Sequence, residues 1–167
     1  GEMVRYGAAA GADLILIETM SDTYEIKAAV LASKENCDLP ICVTMTFDED
    51  GKLLTGATVE AAALMCEGLG VDAIGFNCGL GPVQVGKLFP QMLEATSLPL
   101  IINPNAGLPV QRDGKTCFDV GPEEYAELMY ELAGKGASIV GGCCGTTPEH
   151  IAQMIAKSKN SAAGWYA

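Results

Sequence analysis

Five continuous apolar runs recur along this chain at near-regular spacing, and that spacing constrains the fold more than any other feature. The runs are Asp13–Glu18, Ile41–Phe47, Ala73–Asn77, Leu100–Asn103 and Ile139–Gly142. They begin about 25 to 40 residues apart, the length of one strand–loop–helix unit. Two entry signatures take turns. Gly11-Ala12-Asp13, Gly70-Val71-Asp72 and Gly136-Ala137-Ser138 lead into the first, third and fifth runs, whereas Leu39-Pro40 and Leu98-Pro99 lead into the second and fourth. The runs are continuous rather than alternating, as expected of parallel strands covered on both faces.

Helical patterns fill the intervals. Asp22-Thr23-Tyr24-Glu25 resembles a capping box, opening a helix that turns Ile26, Ala29 and Val30 inward. Glu60–Leu69 reads as a second helix. Pro82 can occupy the first position of a third, whose Val85, Leu88, Phe89 and Met92 form an i, i+3, i+4, i+7 stripe. Pro122 opens a fourth with Tyr125, Leu128, Met129 and Leu132. Thr146-Thr147-Pro148-Glu149 starts the last, with Ile151, Met154 and Ile155 inward. Strands alternating with helices predict an α/β protein, either an open doubly wound sheet or a (β/α)8 barrel. Glu18, Asn77, Cys78, Asn103, Asn105, Cys143 and Cys144 all fall at or just past the ends of strands. A barrel gathers such residues on one face, whereas an open sheet spreads them along a line.

Charge narrows the partners. A formal net charge of −11 over 167 residues argues against nucleic acid and anionic membrane surfaces. No apolar run reaches the length of a membrane span and no signal peptide is visible. Seven cysteines scattered through apolar segments read as reduced thiols of a cytoplasmic protein.

Chemistry concentrates in Gly141-Gly142-Cys143-Cys144-Gly145-Thr146-Thr147-Pro148, with Phe76-Asn77-Cys78-Gly79 as its single-cysteine counterpart. Three thiolates from two strand ends suit zinc and would leave one position open, as in catalytic zinc sites. Buried cysteines acting as small hydrophobes and a vicinal disulfide stand beside that reading. Cys37, Cys42, Cys66 and Cys117 have no companion ligands and read as packing or surface residues. His150, the single histidine, is expected to be exposed. The Asp48–Lys52 stretch and Arg112-Asp113-Gly114-Lys115 read as turns.

Longer segments carry a resemblance. Ile17-Glu18-Thr19, Thr44-Met45-Thr46-Phe47-Asp48, Gly75 through Pro82, Asn103 through Pro109 and Gly141 through Pro148 together resemble the homocysteine S-methyltransferase family. Within it, they look most like the homocysteine-binding module of the cobalamin-dependent methionine synthases. The resemblance covers residues 1–157 and implies a (β/α)8 TIM barrel, of which this chain would hold the C-terminal five βα units. Residues 1–160 would form that portion and residues 161–167 a tail without a family counterpart. The first three strands would lie outside the chain, and the isolated piece is expected to be inactive.

By the same resemblance, Cys78, Cys143 and Cys144 ligate zinc, Glu18 and Asn105 bind the substrate, Glu18 by holding its amino group, and Asn105 is also a possible fourth ligand. Asn77 matches a position with a loop-fixing role. The substrate implied is homocysteine, whose thiol, with an ordinary pKa of about 8.5, is mostly protonated at neutral pH. Zinc coordination removes that proton without redox chemistry. Methylcobalamin and 5-methyltetrahydrofolate, carried on cobalamin- and folate-binding modules of a longer chain, are the implied methyl source. Betaine or S-methylmethionine is the alternative, as is a non-catalytic zinc-binding fragment. Without the resemblance, Glu18 would read as a strand-end carboxylate bonded to loop amides.

Overall fold

The structure, a computed structural model, describes residues 1–159. The tail expected over 161–167 lies outside the described residues. Helix α1 (Glu2–Ala9) leads into β1 (Ile15–Met20), α2 (Thr23–Lys34), β2 (Ile41–Met45), α3 (Val59–Gly68), β3 (Ala73–Asn77), α4 (Pro82–Ala95) and β4 (Leu100–Asn103). A hairpin of β5 (Pro109–Arg112) and β6 (Lys115–Phe118) follows. Then come α5 (Pro122–Gly134), β7 (Ile139–Val140) and α6 (Pro148–Lys159).

Local sequence explains most of these boundaries. Asp22 caps α2 by accepting the Glu25 N–H at 2.8 Å, half of the expected capping box. Thr58 caps α3 by accepting the Ala61 N–H. Pro82 and Pro122 take the first positions of α4 and α5, where a missing N–H costs nothing. Three strands differ in extent from the sequence reading. β1 begins and ends two residues later than Asp13–Glu18, β2 stops at Met45 instead of Phe47, and β7 holds only Ile139–Val140.

The five long-range strands form one parallel sheet in the order β1-β2-β3-β4-β7. This order never reverses, so the sheet has no switch point of the kind a doubly wound fold requires. Among the described residues, the buried side chains of α2 to α6 pack on one face of the sheet. Ile17, Val43, Ile74, Phe76 and Ile102 join Ile26, Val30, Ala62, Val85, Phe89, Met92, Tyr125 and Met129 in a single core. The alternate strand residues Cys42, Ala73 and Ile101 form a separate small cluster on the other face. There Thr44 Oγ1 is the buried side-chain polar atom without a hydrogen-bond partner among the described residues.

Central and edge strands therefore differ. β2 and β3 are buried throughout, as continuous apolar runs predict. On the edge strands, Leu16 is 44% and Ile139 46% exposed, both on the face opposite the helices, whereas Ile17 on the helix-covered face is buried.

Candidate metal centre

Cys78 follows the last residue of β3 with its backbone in the left-handed region, φ 55, and Gly79 continues it at φ 65. Two such residues turn the chain sharply over the strand end, and the Cys78 N–H extends the ladder by donating to Asn103 O at 3.1 Å. Cys143 and Cys144 lie just past β7 in a turn laced to the segment after β4. Gly141 N–H donates to Ile102 O, Cys143 N–H to Pro104 O at 2.8 Å, and Ala106 N–H to Cys144 O at 2.9 Å. Asn105, 4% exposed, accepts the Cys144 N–H on its side-chain oxygen at 3.0 Å. The turn closes where Thr146 Oγ1 donates to Cys143 O at 2.7 Å. Gly145 has φ 80, and a Cβ there would stand 2.3 Å from the Phe118 ring at the base of the hairpin.

These two segments bring the three thiols together. Cys78 Sγ lies 3.6 Å from Cys144 Sγ, which lies 4.0 Å from Cys143 Sγ, and all three fall within 4.8 Å of one another. The 4.0 Å separation is about twice a disulfide bond, so the vicinal disulfide is not formed, and all seven cysteines are free. Burial, then hydrogen bonding and charge from Cys78, push the Cys143 thiol up to about 12. The Cys78 hydrogen bond, then burial, raise Cys144 as well. Both are therefore protonated at neutral pH while no cation faces them. Cys42 and Cys66 are buried elsewhere, with burial pushing Cys66 up to about 11. Neither joins the cluster, nor do Cys37 and Cys117.

Beneath the thiols lies a polar network that sequence reading did not assemble. The Tyr125 hydroxyl donates to both Gly141 O at 2.8 Å and Pro104 O at 3.1 Å, tying the two loops that carry the site. Burial, then the nearby Cys143, hold its phenol above the ordinary range, so it stays a donor. His150 corrects an expectation: it is buried, 6% exposed, and not on the surface. Its Nδ1 accepts the Thr147 N–H at 3.1 Å, which puts the ring proton on Nε2, facing Val120 O at 3.0 Å. Thr147 precedes α6 and His150 is its third residue, so the imidazole supplies the reciprocal half of a capping box in place of a carboxylate. That Thr-x-x-His spacing was the available signal. With both nitrogens engaged, His150 has none to offer a metal.

Glu18 stands on β1, exposed, and among the described residues its side chain makes no hydrogen bond or ion pair. The loop-amide alternative finds no such bonds. Asn77, 1% exposed, reaches instead to the neighbour of Glu18: Oδ1 accepts the Thr19 N–H at 3.0 Å and Nδ2 donates to Thr19 Oγ1 at 2.6 Å.

A family model described as homocysteine S-methyltransferase matches residues 1–157. The chain belongs to the homocysteine S-methyltransferase family. Among relatives, it is 39% identical over 152 residues to the methionine synthase of Mycobacterium leprae (strain TN), covering 87% of this chain. It is 38% identical over 156 residues to that of Mycobacterium tuberculosis (strain ATCC 25618 / H37Rv), covering 90%. The chain spans 13% of the length of each. Its fold is similar to that of the homocysteine methyltransferase MmuM from Escherichia coli in its metallated form, at TM-score 0.75 and 26% identity. That match covers 92% of this chain and 48% of MmuM. The family match spans both cysteine-bearing segments and Glu18.

Proposed function

We propose that this chain is the thiol-activating part of a homocysteine methyltransferase, with zinc held by Cys78, Cys143 and Cys144. The observation that carries the reading is the trio of sulfurs within 4.8 Å, at strand ends of a chain in this family. The donor set fits the metal. Three soft ligands with one position left for substrate is the open arrangement of catalytic zinc. Crowding supports it too, since Cys143 and Cys144 resist ionising beside their neighbours and a cation reverses that balance. Bound zinc would supply the charge that keeps a substrate thiol deprotonated at neutral pH.

The chain's own residues orient the reactants. Glu18, without a partner among the described residues, pairs with the homocysteine ammonium and so fixes where the sulfur lies. Asn105 holds the Cys144 peptide through its side-chain oxygen. To serve as a fourth ligand when substrate is absent, it would exchange that amide for the metal.

We assign the sheet to the C-terminal five units of a (β/α)8 barrel, on its unreversed strand order and one-sided helices. Turnover then needs three further strands. The likeness to two methionine synthases supports methylcobalamin, recharged from 5-methyltetrahydrofolate, as methyl donor on separate modules. Free thiols support a cytoplasmic location, and no helix among the described residues is long and apolar enough to cross a membrane.

Titration calorimetry of the zinc-loaded protein, in a version carrying the remaining barrel strands, tests the reading. Homocysteine should bind, and Glu18→Gln should weaken it by about 1–3 kcal/mol with zinc content unchanged. Normal affinity in the Gln variant would remove Glu18 from the site. No uptake by the parent would sink the whole assignment.

A further inference from the structure

We propose that Asn77 is a positioning residue that sets the separation between the metal-binding thiols and the Glu18 carboxylate; this rests on the functional reading above. Asn77 is the last residue of β3 and directly precedes Cys78. Thr19 directly follows Glu18. The Asn77 side chain spends both ends on Thr19, accepting its N–H at 3.0 Å and donating to its hydroxyl at 2.6 Å. Residues 58 apart in sequence are thereby joined across β2, which lies between β1 and β3 in the sheet. Ladder bonds link only adjacent strands, so the sheet itself provides no such link.

Thr19 needs holding. Its φ is 60, a rare and strained setting for a β-branched residue. The β1–β2 register shifts between Ile17 and Met20, around this residue. Strain of this kind persists only where the surroundings over-determine it, and the two Asn77 bonds do so. The clamp is itself anchored: Thr46 Oγ1 donates to Asn77 O at 3.0 Å, and Cys78 N–H donates to Asn103 O at 3.1 Å. Glu18-Thr19 and Asn77-Cys78 thus form one rigid unit, with the candidate carboxylate at one end and a candidate ligand at the other.

The test compares two thiols on the same zinc-loaded protein used above. Homocysteine carries the ammonium that Glu18 would bind, and 4-mercaptobutanoate is the same thiol without it. Asn77→Ala should weaken homocysteine about tenfold, the size of a compromised charge-assisted contact. It should leave 4-mercaptobutanoate affinity and zinc content unchanged. Thr19→Val should show the same selective loss and Thr19→Ser should restore parent behaviour, which decides the matter if Asn77→Ala does not fold. Equal loss for both thiols, or loss of zinc, overturns the clamp and leaves Asn77 a support of the cysteine loop. A parent that binds neither thiol overturns the functional reading and the clamp together. A parent that binds both, with no selectivity in either variant, overturns the clamp alone.

Discussion

Cys143 and Cys144 hold their protons at neutral pH because burial and the neighbouring thiols oppose ionisation. A metal must displace those protons, so zinc affinity should rise as pH rises from about 6 to 8 and protons should be released on binding. Calorimetry in buffers of different ionisation enthalpy reads that release directly. Replacing Cys78, Cys143 or Cys144 with Ala should abolish tight binding, since two thiolates and solvent make a poor site. Cys37→Ala and Cys117→Ala, outside the cluster, should leave metal content unchanged. Equal zinc in Cys143→Ala and parent would break the ligand assignment. At this scale the sequence is readable where chemistry is concentrated: Cys78, Cys143 and Cys144 stand out among glycines at strand ends, and the structure brings their sulfurs together. His150 was misread because burial of a single polar residue depends on what its helix packs against. The pairing of Asn77 with Thr19 was invisible for a related reason, since no local pattern ties residues 58 apart.

Helices were legible because their signals are local. The Asp22 cap, the prolines opening α4 and α5, and the Val85-Leu88-Phe89-Met92 stripe all behave as their spacing predicts, and the stripe is buried throughout. The hairpin was missed. Arg112–Lys115 reads as a turn and is one, but β5 and β6 pair antiparallel around it where the sequence suggests loop. Asp113 and Gly114, at φ 50 and 73, form the left-handed pair that favours a two-residue hairpin. Short, half-exposed strands carry little apolar pattern, so the Asp-Gly step was the one cue. The hairpin bears on the site because Phe118 stacks against Gly145. Gly145→Ala should therefore cost about 2–4 kcal/mol, combining the clash with an unfavourable φ. It should also weaken zinc binding. Gly114→Ala, with open space around its Cβ, should cost about 1 kcal/mol of backbone strain alone and leave the metal untouched. Denaturant melts paired with metal titration separate these outcomes. Similar destabilisation by both variants would mean that Phe118 yields.

At the scale of the molecule, β1 and β7 are the edges of the sheet among the described residues, and Leu16 and Ile139 lie exposed on them. Such edges invite pairing with another chain, so the 167-residue protein should self-associate as concentration rises. Light scattering beside a version with three further strands checks this, and a monodisperse monomer of the shorter protein would contradict the barrel assignment. The unreversed strand order was only partly legible beforehand, because apolar runs announce strands but not their neighbours. Strand-end placement of the reactive residues leaves the barrel open as a proposal; what the structure gives is that the loops after β3 and β7 meet over β4. That meeting has a mechanical consequence. Cys78 and Cys144 lie 66 residues apart in sequence, and a cation gripping both acts as a cross-link that closes the chain into a ring. Cross-links of that span remove loop entropy from the unfolded ensemble, worth about 4 kcal/mol in the case of a disulfide. The same three sulfurs that would serve the reaction would also act as a reversible clasp, so that removing a bound metal would loosen β3, β4 and β7 together.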